Sequence, residues 1–286
     1  MKFFFADSQD MVDPSFDFET ETRSEWRIRQ RDDVYPHEVF SRPPYDGVMI
    51  SKAIVEGAGE TSGRYTLAQQ HRLRRVGMRR FFRINDRPIE TMGDCGAFSY
   101  VAEEYPPVTV EEVAAFYEDC GFDYGMSVDH VILGYRSDLD QQSTNGDSVP
   151  ADWRLRQQIT LELAEQFLNI TQSQDCGFMP IGIAQGWSPD SYSDAVRHLQ
   201  QMGYSYIALG GMVPLKTHEI FETLEGVSKV RLSGTRLHLL GITRLTSIER
   251  FQRYGVHSID STSPLKQAFM DSRNNYYCGD GAYMAV

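Results

Sequence analysis

The sequence predicts an α/β fold, a (β/α)8 TIM barrel with insertions, and three observations carry that prediction. Eight short β-like segments are spread through the 286 residues, most are followed by a helix-like pattern, and four polar runs stand where predicted strands end. Strand alternating with helix implies a parallel sheet. Polar residues gathered at strand ends are how such barrels carry chemistry on one rim. The whole of 1–286 is expected to form one domain, since a single barrel takes about 250 residues.

The predicted strands, in order, are Lys2–Ala6, Gly47–Ser51, a short one ending near Asp94, Tyr124–Val131, Met179–Ala184, Tyr206–Leu209, Leu237–Ile242 and His257–Asp260. Helical patterns follow at Thr109–Cys120, Trp153–Ile170, Ser191–Met202, Thr217–Leu224, Ser247–Tyr254 and Pro264–Asp271. Thr109 ahead of Glu111 and Glu112, Ser188-Pro189-Asp190, and Ser263-Pro264 mark helix starts, because a hydroxyl accepts from free first-turn N–H groups and proline suits the first turn. Residues 12–44 hold acids, arginines and aromatics without sustained period, so they read as an insertion or lid after the first strand. Residues 136–149, with Gln141-Gln142-Ser143-Thr144-Asn145-Gly146, read as a loop over the barrel mouth.

Composition narrows the function classes. The chain is 41% hydrophobic and 24% charged, and no run of about 18 apolar residues exists to span a membrane. The opening Met1-Lys2-Phe3-Phe4-Phe5-Ala6-Asp7 turns polar too early for a signal peptide, so a cytoplasmic protein with no membrane partner is expected. Cys95, Cys120, Cys176 and Cys278 lie far apart, with neither a Cys-x-x-Cys pair nor zinc-like Cys/His spacing. The net charge of −12 opposes generic nucleic-acid binding, so any nucleic-acid groove must be local. One basic run qualifies: Arg72, Arg74, Arg75, Arg79, Arg80, Arg83 and Arg87, interrupted only by Asp86. It fits a phosphate-binding edge and equally a solvated helix face. A smaller group, Lys229, Arg231, Arg236 and Arg244, extends it on the first reading.

The four polar runs are Met92-Gly93-Asp94-Cys95-Gly96-Ala97-Phe98, Ser127-Val128-Asp129-His130, Ile183-Ala184-Gln185-Gly186-Trp187 and His257-Ser258-Ile259-Asp260-Ser261-Thr262. Singly, each has an ordinary explanation: Asp94 as a turn residue, Asp260 as a cap ahead of Pro264, Gly210-Gly211 as a tight turn, Phe98 and Leu240 as barrel packing. Together, in this order and spacing, they resemble the guanine transglycosylase family over about residues 90 to 270. Those enzymes exchange a guanine in a nucleic acid for a 7-deazaguanine.

The resemblance implies a role for each residue. Asp260 matches the family's nucleophile, which bonds covalently to the sugar, and Asp94 matches its general acid and base. Phe98 matches the aromatic stacked on the base and Leu240 its apolar partner. Asp129 and Gln185 match the side chains that read the guanine edge, a carboxylate taking its N–H groups and an amide its carbonyl. Gly210-Gly211-Met212 matches the turn whose backbone faces the deazaguanine substituent. No redox or nucleotide cofactor is needed. Members acting on tRNA carry a Cys-x-Cys-x-x-Cys…His zinc motif, and nothing here matches it; Ser261-Thr262-Ser263-Pro264-Leu265-Lys266 also replaces their continuation after the nucleophile. The opening Phe4–Pro14 resembles the DNA-directed branch, so the implied partners are DNA, a 7-deazaguanine such as preQ0, and accessory modification proteins. A tRNA enzyme without its zinc element and a non-catalytic guanine-binding module remain the alternatives; the second needs Asp129 and Gln185 but not Asp260.

Overall fold

In the computed structural model, residues 1–6, 10–17, 19–141, 148–263, 276–278 and 281–283 are described. Eight strands, β1 Lys2–Ala6, β2 Gly47–Ser51, β3 Glu90–Asp94, β4 Tyr124–Met126, β5 Met179–Ala184, β6 Tyr206–Leu209, β7 Arg236–Leu239 and β8 Val256–Ser261, pair in parallel and close into a ring in chain order. The closing seam sets Phe4 of β1 level with Asp260 of β8. The register of β2 on β3 ends with Ser51 beside Asp94, so both reach the carboxyl rim.

The interior of the ring is filled by Phe4, Met49, Met92, Met126, Ile181, Ile183, Tyr206 and Ala208. Alternation along each strand turns these inward and sends the next residues out to the helices. Outside lie α1 Leu67–Phe81, α2 Val110–Cys120, α3 Ala151–Ser173, α4 Pro189–Met202, α5 Thr217–Ser228 and α6 Ile248–Arg253. Two larger apolar clusters, one around Tyr117, Phe116 and Phe167 and one around Leu199, Ile207 and Phe251, join these helices to the sheet. Thr109 caps α2 by accepting from the Glu112 N–H, and Ser188 caps α4 by accepting from Ser191.

Several elements differ from the expectation. The predicted Tyr124–Val131 strand stops at Met126, because the Ser127 hydroxyl takes the Ile183 N–H at 3.1 Å in place of a ladder carbonyl. Predicted strand Leu237–Ile242 ends at Leu239, just ahead of the left-handed turn at Gly241 (φ +72°). The basic run from Arg72 to Arg80 lies on helix α1, started by Thr66 and Gln69 in a reciprocal cap and kinked at Gly77, and Arg83 and Arg87 follow its end. Among the described residues no long helix separates β1 from β2; Val12 and Val34 pair there, and Arg83 holds Asp33 and Glu38 of the returning half. The predicted helix Pro264–Asp271, residues 142–147 of the expected mouth loop and residues 7–9 of the opening run lie outside the described residues. Among the described residues no helix is long and apolar enough to cross a membrane.

Candidate active site

A pocket of about 400 Å³ opens at the carboxyl ends of the strands. Eight of the nine residues matched to catalysis and base binding line it: Asp94, Phe98, Asp129, Gln185, Gly210, Gly211, Leu240 and Asp260. Met212 does not; it is fully buried in the core between sheet and helices, and Val213 takes the place on the wall. Phe98 is 54% exposed at the mouth, on a short 3-10 turn of residues Ala97–Tyr100.

Asp129 and Gln185 form the floor and are 2% and 1% exposed. Gln185 Nε2 donates to Asp129 Oδ2 at 2.6 Å, while Gln185 Oε1 accepts the Ile132 N–H at 3.2 Å. The backbone donor therefore fixes which way the amide points. The Cys95 thiol donates to Asp129 Oδ1 at 3.2 Å, and the Tyr100 hydroxyl lies 3.2 Å from that sulfur and 3.3 Å from the Asp129 carbonyl. Burial pushes the pKa of Asp129 up to about 6, against the lowering effect of the Cys95 and Gln185 bonds. Burial and the neighbouring carboxylates also push the Cys95 thiol upward, so it stays a donor.

Gly210-Gly211 presses against this floor. A Cβ on Gly211 would meet the Ile132 carbonyl at 2.3 Å, and its φ of +71° is a conformation that side chains disfavour. A Cβ on Gly210 would meet Gln185 Nε2 at 2.3 Å. Backbone can thus approach a planar ligand at this turn only without side chains.

Asp94 ends β3. Burial first, then the charges of Asp129 and Asp260, push its pKa up to about 7, with the Gly96 backbone N–H acting in the opposite direction. About half of such carboxyls carry a proton at neutral pH. Asp260 is 4% exposed, near the end of β8. Its Oδ1 accepts from the Gly241 N–H at 2.8 Å and from His238 Nε2 at 3.0 Å. Among the described residues Oδ2 has no hydrogen-bond partner. Among the described residues no lysine or arginine lines the pocket, and three carboxyl groups share it. Chemically, the arrangement offers one anchored carboxylate with a free oxygen, one carboxyl poised to give or take a proton, and a polar edge for a flat heterocycle.

None of the arginines from Arg72 to Arg83 lines the pocket. Arg79 donates to the carbonyls of Asn85, Arg87 and Ile89, just before β3, which puts it at the amino end of the barrel. Arg74 bridges Glu56 and Asp119, Arg83 reaches Glu38, and Arg72 lies 5.4 Å from the Phe81 ring centroid. Arg75 and Arg80 are carried on α1 as well. Of the smaller basic group, Arg244 follows the carboxyl end of β7 and donates to the Leu215 carbonyl at 3.4 Å, while Lys229, Arg231 and Arg236 lie before that strand or at its start.

His238, Ser258 and Tyr206, which lie under Asp260, and Cys95 with Tyr100, which brace Asp129, are not singled out by the sequence. A lone polar residue inside Leu237-His238-Leu239 and a serine two before Asp260 were the available signals. Among the described residues no group of three or more His, Cys, Asp or Glu is arranged to hold a metal ion, so the zinc of tRNA-acting enzymes has no matching donor set there.

No family model matches the chain. A DNA-guanine transglycosylase from Salmonella montevideo is 54% identical to it over 287 residues, an alignment that takes in 100% of this chain and 67% of that protein.

Proposed function

Because the chain belongs to the guanine transglycosylase family, in its DNA-directed branch, we propose that it exchanges guanine in DNA for a 7-deazaguanine through a covalent intermediate on Asp260. The observation that carries the mechanism is the unequal treatment of two carboxyl groups in one pocket. Asp260 is held by two donors on one oxygen, and Asp94 is pushed up to about 7. Two carboxyls in different states solve the same problem in retaining glycosidases.

In the first half-reaction an Asp260 oxygen bonds to C1′ of the deoxyribose as the C1′–N9 bond breaks. The base leaves with the bonding pair and a proton from Asp94. In the second half Asp94 takes the proton from the incoming base, whose nitrogen displaces Asp260. The floor reads the base: Asp129 accepts the ring and exocyclic N–H groups of guanine, and Gln185 Nε2 donates to its carbonyl. Adenine presents the opposite pattern at these atoms and would leave buried donors and acceptors unpaired. A base inside a duplex must leave the stack to enter, at a cost of a few kcal/mol.

The 7-substituent faces the Gly210-Gly211 turn and Val213. The three carboxyls of the pocket are assigned to the sugar, the proton and the base edge, and among the described residues no fourth lines it to meet a cationic substituent. An uncharged group such as the nitrile of preQ0 suits that wall. Arg244, at the same rim, is suited to meet the phosphate backbone of the DNA.

The test is incubation of the purified protein with labelled preQ0 and either plasmid DNA or bulk tRNA. Label in DNA supports the proposal. Label confined to tRNA transfers the activity to the other nucleic acid, and tight base binding without incorporation reduces the protein to a binding module.

A further inference from the structure

Under Asp260 the last three strands carry a line of buried polar side chains that the reaction above leaves unused. Tyr206 is 1% exposed, and His238 and Ser258 are 0% exposed. The barrel register brings them together: His238 stands level with Ala208 on one side and Ser258 on the other, and Ser258, two before Asp260, shares its face. The Tyr206 hydroxyl is 2.5 Å from Ser258 Oγ, Ser258 Oγ is 2.5 Å from His238 Nδ1, and His238 Nε2 is 3.0 Å from Asp260 Oδ1.

The direction of this chain follows from its far end. Among the described residues the Tyr206 hydroxyl meets only Ser258, so Tyr206 donates to Ser258, and Ser258 donates to Nδ1. The imidazole then carries its hydrogen on Nε2, facing the carboxylate. Each of the three hydrogens has an acceptor. The reverse direction strands the buried Tyr206 hydrogen, which burial makes costly.

We propose that His238 is a positioning residue for the reacting carboxylate: with the Gly241 N–H it holds Oδ1 so that Oδ2 is the oxygen that bonds to C1′. The assignment rests on Asp260 being the nucleophile. When the C1′–Oδ2 bond later breaks, its electron pair returns to the carboxylate, and the two donors on Oδ1 receive the restored charge. A preoriented donor pair accelerates both halves because nothing need reorganise as charge leaves and returns.

Two substitutions separate positioning from packing. Gln at 238 extends an N–H to the place of Nε2, whereas Asn reaches Ser258 but falls short of Asp260. Adduct formation with a guanine-containing DNA strand, in single turnover, should be slowed about 10- to 100-fold in His238→Asn and stay within about 3-fold of the parent in His238→Gln, removal of one preorganised donor costing at most about 10³. Both variants should remain folded, by circular dichroism, and their affinity for free preQ0 should match the parent. Ser258→Ala keeps the imidazole but frees Nδ1, so a smaller loss of about 3- to 10-fold is expected. Parental rates in both His238→Asn and Ser258→Ala, or equal losses in the Asn and Gln variants, would overturn the assignment. A parent protein that forms no adduct with DNA sinks the transglycosylase reading instead.

Discussion

The two ends of the barrel handle charge in opposite ways. At the amino end Lys2 pairs with Glu90, Arg79 with Asp123 and three carbonyls, and Arg83 with Glu38. At the carboxyl end Asp94, Asp129 and Asp260 face a pocket that no lysine or arginine lines among the described residues, and a thiol, an amide, an imidazole and backbone N–H groups hold them. Half-exposed ion pairs of the first kind contribute about 0–1 kcal/mol each. Clustered carboxyls of the second kind destabilise the fold, and the same burial and crowding raise Asp94 and Asp129 to where a proton can move near neutral pH. One end is arranged for stability and the other for chemistry.

The sharpest way to break this contrast is Asp260→Asn. An amide is a poor nucleophile, so base exchange should fall by about 10⁴-fold or more with the fold retained. Circular dichroism beside the incorporation assay checks both halves, and substantial turnover would remove Asp260 from the mechanism.

Asp94→Asn should slow exchange about 10²- to 10⁴-fold, the usual worth of a positioned acid or base. It should also stabilise the protein. The folded carboxyl keeps its proton up to about pH 7, whereas the unfolded one releases it near 3.8, so folding takes up a proton in that window and stability falls as pH rises through it. The variant escapes that loss. Urea unfolding at pH 8 should show it about 1–2 kcal/mol more stable than the parent, allowing for the open pocket mouth, with the gain vanishing towards pH 4. Equal stability at both pH values would mean that Asp94 is not strained.

Asp129→Ala leaves the base's N–H groups without an acceptor and should weaken free preQ0 binding by about 1–3 kcal/mol per missing buried bond, measured by calorimetry. Unchanged affinity would place the base slot elsewhere.

The smallest effects belong to α1 and the amino end. Removing the paired Arg79 and Arg83 together should cost about 1 kcal/mol of stability and leave the salt dependence of DNA binding untouched. Replacing Arg72, Arg75 and Arg80 should make the log–log salt slope shallower by roughly 0.9 for each phosphate that is no longer neutralised. An unchanged slope in that folded triple variant would make these three arginines a solvated helix face and leave the rim near Arg244 to meet the DNA.

The barrel was legible in the sequence because strand punctuation is local. Glycines, prolines and short apolar runs placed β1, β2, β5 and β6 to the residue. The carboxyl-end carboxylates were legible for a related reason, since each stands at or just beyond the end of a strand. What stayed hidden depends on long-range register. Nothing local says that Ser127 will replace a ladder acceptor, or that Tyr206, His238 and Ser258 will align across three strands beneath Asp260. Charge partners are hidden too: Arg74 and Arg79 stand in one basic run, and only the fold assigns them to Glu56, Asp119 and the chain before β3. Met212 reads as part of a glycine turn, yet its side chain drops into the core because Gly211 reverses the backbone ahead of it.

The most direct test of the account is to incubate the protein with an end-labelled guanine-containing DNA strand, without free base, and resolve the products under denaturing conditions. A protein-linked DNA band should form with the parent, disappear when preQ0 is added, and be absent from Asp260→Asn. A band that persists in Asp260→Asn, or a parent band that added base cannot release, would contradict exchange through that carboxylate.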